Sequence, residues 1–302
     1  MGDKISWCVR GSFRGARILG VNKYKPLFVG NPPEWELVLV AVAEPEGGAF
    51  DTFISYDGTA ATWGIAQWTF TSGRLQKLLS YVREHCEDLW LDSGVEELLD
   101  DLGLVLDPAG NLRDKDTNNR VIKKDTLRSI FTPPGGYVPK TRRYREVAEN
   151  VALTLSKLGE HTGVGWVQVS FFIHELLREA RYGRPCLHGK SIAEYLYATN
   201  TPSYDYTAPI VDPYLSVSRA LFWSMWQNSP RKAELHLKAA WGCRPYNGPE
   251  RLRSLERIFA RSDFANWGVA KARRNDREAR FTKTAKAINA VMGKDYLNPY
   301  LT

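Results

Sequence analysis

Hydrophobic positions along the chain fall into a few regular patterns. Residues 36–44, Glu-Leu-Val-Leu-Val-Ala-Val-Ala-Glu, form an apolar run whose length and composition suit a buried strand or a buried helix equally. From Arg74 to Cys86 the spacing of Leu75, Leu78, Leu79 and Val82 predicts an amphipathic helix, and 94–102 repeats the pattern. The stretch 105–112, Val-Leu-Asp-Pro-Ala-Gly-Asn-Leu, predicts a turn between two short extended segments, because Asp-Pro and Gly-Asn punctuate it. Thr132-Pro-Pro-Gly-Gly-Tyr137 is the sharpest break, with two prolines that forbid helix continuation. Beyond it, Val147, Val151, Leu155 and Leu158 share one helical face within 144–158. Further helices are predicted over 169–180 and 217–227, and 200–209 is a long polar loop. These patterns predict a mainly α (α+β) chain with a small β element. The break divides it into an N-terminal part, 1–132, and a helical part, 138–302.

Composition narrows the function classes. The chain has 302 residues, 43% of them apolar, enough for a large core and against disorder. Lysine and arginine exceed the acids, 41 to 34, and the net charge of +7 suits an anionic polymer or surface as partner. No apolar run approaches the ~18 residues of a membrane-spanning helix. The opening residues, Met1 to Trp7, lack a secretory signal's basic-then-apolar layout. Cys8, Cys86, Cys186 and Cys243 are far apart and form no Cys-x-x-Cys pair, so reduced thiols are expected.

The chemistry-bearing segment is 44–79. There the apolar run ends in two carboxylates, Glu44 and Glu46, beside a Gly-Gly turn. A carboxyl at the edge of a core loses part of its hydration, which favours the proton-bearing form a general acid needs. Asp51 and Asp57 follow among Phe50, Phe53 and Tyr56, while Trp63 and Trp68 bracket Gly64-Ile-Ala-Gln67. Flat aromatic faces beside amides and carboxylates suit a sugar ring, with its apolar face and rim of hydroxyls. The bland reading of the same residues is a solvated acidic turn, an Asp-Gly turn at Asp57 and two core tryptophans.

Glu46-Gly-Gly, Ser55-Tyr-Asp-Gly and Gly64-Ile-Ala-Gln67-Trp together resemble the catalytic region of the lysozyme-like superfamily, especially soluble lytic transglycosylases and goose-type lysozymes. Those enzymes place a catalytic Glu at a helix end, then a Ser-x-x-Gly turn, then a Gly-Leu-Met-Gln block before another helix. Gly47 stands where that family has Ser. Arg244-Pro-Tyr-Asn-Gly-Pro249 is similar to the family's Ala-Tyr-Asn-x-Gly-Pro element, whose Tyr and Asn face the substrate. The resemblance implies a lysozyme-like helical fold with a large helical extension. It also implies cleavage of the β-1,4 bond between the amino sugars of peptidoglycan without a cofactor. Glu46 would be the acid, with Glu44 as its rival, and Asp51 or Asp57 a second carboxylate if the enzyme is a hydrolase. Gln67, Trp63, Trp68, Tyr56, Tyr246 and Asn247 would bind the glycan. Such an enzyme, made in the cytoplasm, would reach the periplasm or cell wall through a delivery partner and have an immunity protein as a possible second partner.

Other signals are weaker. His174-Glu-Leu-Leu-Arg178 lacks the second histidine of a zinc helix, so no metal is expected there. Asp114, Asp116, Asn118 and Asp125 have calcium-loop spacing, but the central Gly and the final Glu are missing, and a polar turn is the simpler reading. Residues 251–286 carry 11 basic against 4 acidic side chains, interspersed with Phe259, Phe264, Trp267 and Phe281. That stretch suits a solvated helical face, attraction to an anionic envelope or, less readily, nucleic acid. A noncatalytic wall-binding or virion-structural protein with a lysozyme-like shell is the main alternative to an enzyme.

Overall fold

The structure is a computed structural model. It describes residues 5–10, 13–55, 61–116, 120–123, 142–182, 207–210, 212–228 and 274–297, with single positions 126, 196 and 233. It has the mainly α (α+β) composition expected, with small antiparallel sheets among the helices. The chain divides into two compact units, Met1–Tyr24 with Gly47–Phe171 and Lys25–Glu46 with Phe172–Thr302. These divisions differ from the sequence boundary at 132–138, which itself lies outside the described residues.

The first unit is built on a five-stranded antiparallel sheet in simple sequential order, β1 (Ile5–Arg10), β2 (Phe13–Ile18), β3 (Phe53–Ile54), β4 (Thr62–Trp63) and β5 (Trp68–Thr69). β1 and β2 pair from Ile5↔Ile18 to Arg10↔Phe13, and Trp63 stands opposite both Phe53 and Trp68. Helix α2 (Arg74–His85) follows and buries Leu75, Leu78, Leu79 and Val82, the stripe read from the sequence. Next come α3 (Glu87–Ser93), α4 (Val95–Asp101) and a second small sheet of β6 (Leu104–Leu106), β7 (Leu112–Asp114) and β8 (Arg120–Val121). The predicted turn between extended segments is therefore the β6–β7 hairpin. Helix α5 (Arg142–Glu160) lies along β2 and β3, with Val151, Leu155 and Leu158 inward. Helix α6 (Thr162–Tyr182) begins earlier than its hydrophobic pattern suggests, and its residues up to Phe171 belong to this unit.

In the second unit, α1 (Glu34–Ala43) packs against α7 (Pro213–Asn228) and α8 (Arg274–Met292). All ten residues of α1 are buried, which explains the missing polar stripe and the strand-or-helix ambiguity of its sequence. Helix wins because α1 lies between two helices that cover it, while Pro33 supplies an extended N-cap and acceptor oxygen for the N–H groups of Glu36 and Leu37. Its first turn carries Glu34 and Glu36, the favourable sign at a helix N-terminus. α7 contributes Val217, Leu221, Phe222 and Met225 to this core, and α8 contributes Phe281, Ala285 and Ile288 at helical spacing. Phe281 is fully buried and so cannot stack on a base.

Candidate functional site

The segment that carries the sequence resemblance contributes a group of side chains to each unit. In the second unit, α1 continues through its C-cap Glu44, which keeps helical dihedrals and donates its N–H to the Val40 carbonyl. Pro45 has no N–H to extend that ladder, and residues Glu44–Glu46 tighten into a single 3-10 turn. The Glu44 side chain is exposed, which corrects the expectation of a partly desolvated carboxyl at that position, and no ion pair or hydrogen bond engages its carboxylate among the described residues. Glu46 is different. Its Oε1 and Oε2 accept from the two terminal nitrogens of Arg280 on α8, at 2.8 and 3.0 Å, in a half-buried fork. A general acid must turn an oxygen toward the leaving group, and in this state both oxygens of Glu46 are held by the guanidinium. The structure thus separates the two carboxylates into one free and one clamped.

In the first unit, β4 and β5 are joined by the turn Gly64-Ile-Ala-Gln67. The Gly64 N–H donates to the Thr52 carbonyl, and the Gln67 N–H returns to the Gly64 carbonyl at 3.1 Å. Gln67 has φ 51°, the one non-glycine residue with positive φ among those described, a conformation that costs about 1 kcal/mol or more. Its Nε2 also donates to the Gly64 carbonyl at 2.8 Å, while its Oε1 is buried without a hydrogen-bond partner. The turn is braced by Gln168 of α6, which is fully buried. Gln168 Oε1 accepts from the Ile65 N–H and its Nε2 donates to the Phe50 carbonyl, both at 3.0 Å. Gly64 is required by this brace, since a Cβ there would stand 2.6 Å from Gln168 Oε1. The turn thus carries a strained glutamine with one buried, unsatisfied acceptor, and a second glutamine, Gln168, pins the turn through Ile65.

Other expected site residues have different roles. Asp51 is 2% exposed, and its two oxygens accept from the N–H groups of Val21 and Asn22 at 3.0 and 2.9 Å. It fastens the loop after β2, and correcting the expectation, it is not placed to serve as a second catalytic carboxylate. Trp63 and Trp68 are 0% and 2% exposed, the latter edge-on to Phe171 at 5.6 Å. They form core beneath the turn and present no face for a sugar to stack on, so the bland reading holds for both. The Ser55 hydroxyl accepts from the Ala16 N–H at 2.9 Å and ties β2 to the end of β3. Tyr56, Asp57, Tyr246 and Asn247 lie outside the described residues, as do Phe259, Phe264 and Trp267. In the stretch with calcium-loop spacing, read as a polar turn, Asp114 accepts from the Asp116 N–H, and Asn118 and Asp125 lie outside the described residues.

Sequence reasoning missed Gln168 and Arg280. Each lies far along the chain from its partner, 103 residues for Gln168 and Ile65, and 234 for Arg280 and Glu46, so no local pattern reports the pairing. The available signals were indirect: a polar residue on the inner face of a helix, and an arginine in the basic tract. Among the described cysteines, Cys8 and Cys86 are free thiols, and burial pushes the Cys86 thiol up. No protein-family model matches the sequence, and no curated protein or solved structure is detectably similar to it.

Proposed function

We propose that the protein cleaves the glycan strands of peptidoglycan at the β-1,4 bond between N-acetylmuramic acid and N-acetylglucosamine, as a lysozyme-like muramidase or lytic transglycosylase. The observation that carries this reading is the order of elements after the buried helix. Carboxylates cap the C-terminal end of α1, a short antiparallel meander follows, its last connection is the strained Gly64–Gln67 turn, and α2 comes after one 3-10 turn, Phe70–Ser72. That is the order of parts in the superfamily the sequence resembles. On this reading the acid is a carboxylate at the end of α1. Glu44 is the one free to turn toward a glycosidic oxygen, and Glu46, fixed by Arg280, shapes the turn that presents it. Protonation of the leaving oxygen as the ring gains oxocarbenium character is the step the acid serves. With Asp51 committed to backbone N–H groups, a two-carboxylate hydrolysis would draw on Asp57, which lies outside the described residues, whereas capture of the anomeric carbon by the sugar's own hydroxyl needs the acid alone. Gln67, whose Oε1 is buried, would act as a support within its own turn rather than by touching the glycan. The substrate would be met in the cell wall after delivery, with delivery and immunity proteins as partners.

The test is release of muropeptides from purified sacculi, read by mass spectrometry. Wild-type protein should release them, and Glu44→Gln should lower the rate by roughly 10²–10⁴-fold, the usual contribution of a general acid. Glu46→Gln should have a smaller effect. Anhydro ends would mark the transglycosylase route and reducing ends the hydrolase. Absence of products from wild type, or full activity in both variants, would defeat the proposal. The second reading, a wall-binding protein with a lysozyme-like shell and no catalysis, is favoured by the clamped Glu46 and the buried tryptophans. It predicts that sacculi are retained and never cut.

A further inference from the structure

Within the second unit, residues 25–31 connect the chain to α1 and place three large apolar side chains in solvent in succession. Leu27, Phe28 and Val29 are 53%, 48% and 64% exposed. Consecutive apolar side chains of this size on a loop mark a contact surface more often than isolated ones do. The loop backbone is held firmly. Glu36, itself fully buried in α1, accepts the N–H of Leu27 on Oε1 at 2.6 Å and that of Phe28 on Oε2 at 3.1 Å. The Asn31 N–H closes a turn onto the Phe28 carbonyl at 3.2 Å, and the Gly30 N–H donates to the Val291 carbonyl at 2.7 Å. Gly30 has φ +90°, which only glycine adopts without strain, so Phe28 and Val29 sit at the apex of a defined turn. A buried carboxylate is costly and is here committed to fixing an exposed apolar apex.

Charge identifies the occupant. Lys25 precedes the apex and is exposed. Where the end of α8 approaches the apex, a Cβ on Gly293 would lie 3.3 Å from the Gly30 Cα, and Lys294 follows, also exposed. Asp295, next to Lys294 in the chain, is an exposed acidic group on the same segment. The ionised side chains facing the loop from α1 are accounted for by Glu36, turned inward to the backbone, and Glu34, which pairs with Arg219. An apolar tip rimmed by lysines matches a bilayer surface, where the tip enters the acyl boundary and the ammonium groups stay among anionic headgroups. No helix among the described residues is long and apolar enough to cross a membrane.

We propose that the rigid 25–31 turn, with Leu27, Phe28 and Val29 at its apex and Lys25 and Lys294 beside it, is a docking tip for anionic lipid membranes. Because Glu36 and Val291 fix the turn beforehand, insertion orders little that is not already ordered. A single tip gives weak, reversible attachment that depends on lipid composition and salt.

The test uses the full chain with unilamellar vesicles of phosphatidylcholine alone or mixed with phosphatidylglycerol, scored by co-sedimentation at low salt. Wild-type protein should sediment with the phosphatidylglycerol vesicles and much less with phosphatidylcholine alone. Replacing Lys25 by Glu should weaken binding by at least roughly fivefold, the worth of one basic side chain at such a surface. The combined variant Leu27→Ser, Phe28→Ser and Val29→Ser should lose roughly tenfold or more. Circular dichroism checks that variant's fold, and should it unfold, Phe28→Ser alone is the deciding comparison. Equal binding by wild type and the apex variants overturns the proposal, as does no vesicle binding by wild type. Wild-type self-association in sedimentation velocity that the Phe28→Ser variant lacks, without vesicle binding, would assign the tip to a protein contact instead.

Discussion

At Asp107 one carboxylate closes the turn between β6 and β7. Desolvation raises its pKa, but that effect is outweighed by the Asn111 backbone N–H, the Arg113 side-chain hydrogen bond at 2.7 Å, the Asn111 side-chain amide and the guanidinium charge. The balance lowers it from 3.8 to about 2. A carboxylate whose pKa falls on folding stabilises the native state at pH values above its unfolded pKa, and that contribution disappears as pH falls through the folded value. Because Asp107 keeps some solvent contact and Arg113 more, screening leaves about 1 kcal/mol of it. Asp107→Asn should therefore be about 1 kcal/mol less stable than wild type in urea unfolding at neutral pH, and the gap should close between about pH 4 and pH 2. A gap that stays constant over that range would mean that shape rather than charge holds the turn. This turn was legible beforehand, because Asp-Pro and Gly-Asn are local signals. The brace on the Gly64–Gln67 turn was not, since Gln168 binds the Ile65 N–H from 103 residues away and nothing in either segment marks the other.

Among the elements, α1 shows most clearly how packing decides what periodicity cannot. A helix covered on every side has no polar face for a pattern to reveal, whereas α5, α6 and α7 each contain the stretch where spacing predicted them, and α2 matches its stretch to within one residue. The tight β1–β2 hairpin and the seven-residue α3 were missed, being too short or too mixed in polarity to stand out. The charges inside α1's surroundings were also hidden. Glu34 Oε2 accepts from Arg219 at 2.8 Å and from the Ser216 hydroxyl at 3.2 Å, while Arg219 Nε donates to the Leu196 carbonyl at 3.0 Å. Breaking such a pair from one side leaves a buried charge bare. Arg219→Met should thus cost about 3–5 kcal/mol in chemical unfolding, and Arg219→Met with Glu34→Leu should recover most of that loss. If the double variant is as unstable as the single one, the pair contributes through its hydrogen bonds to Ser216 and Leu196 rather than through charge.

For the whole molecule, the interleaving of the two units has a direct consequence. The chain leaves the sheet after β2, builds α1 in the second unit and comes back to form β3, so neighbours in the sheet are separated by a helix of the other unit. The second unit's core is therefore assembled from segments far apart in sequence. A fragment spanning 138–302 would retain α7 and α8 yet lack α1, which packs against both. Leu37, Val38, Leu39, Val40 and Val42 are all buried in that core, and each contributes about 1.5–3 kcal/mol on burial. Their sum is comparable with the ~5–15 kcal/mol that holds a whole domain folded. A fragment of residues 138–302 should accordingly be helical by far-ultraviolet circular dichroism but bind a hydrophobic dye and show no cooperative melt. Co-expression with 1–132, which carries α1, should restore cooperative unfolding. A cooperative melt from 138–302 alone would show that α7 and α8 close a core without α1, and that the break at 132–137 is a true domain boundary.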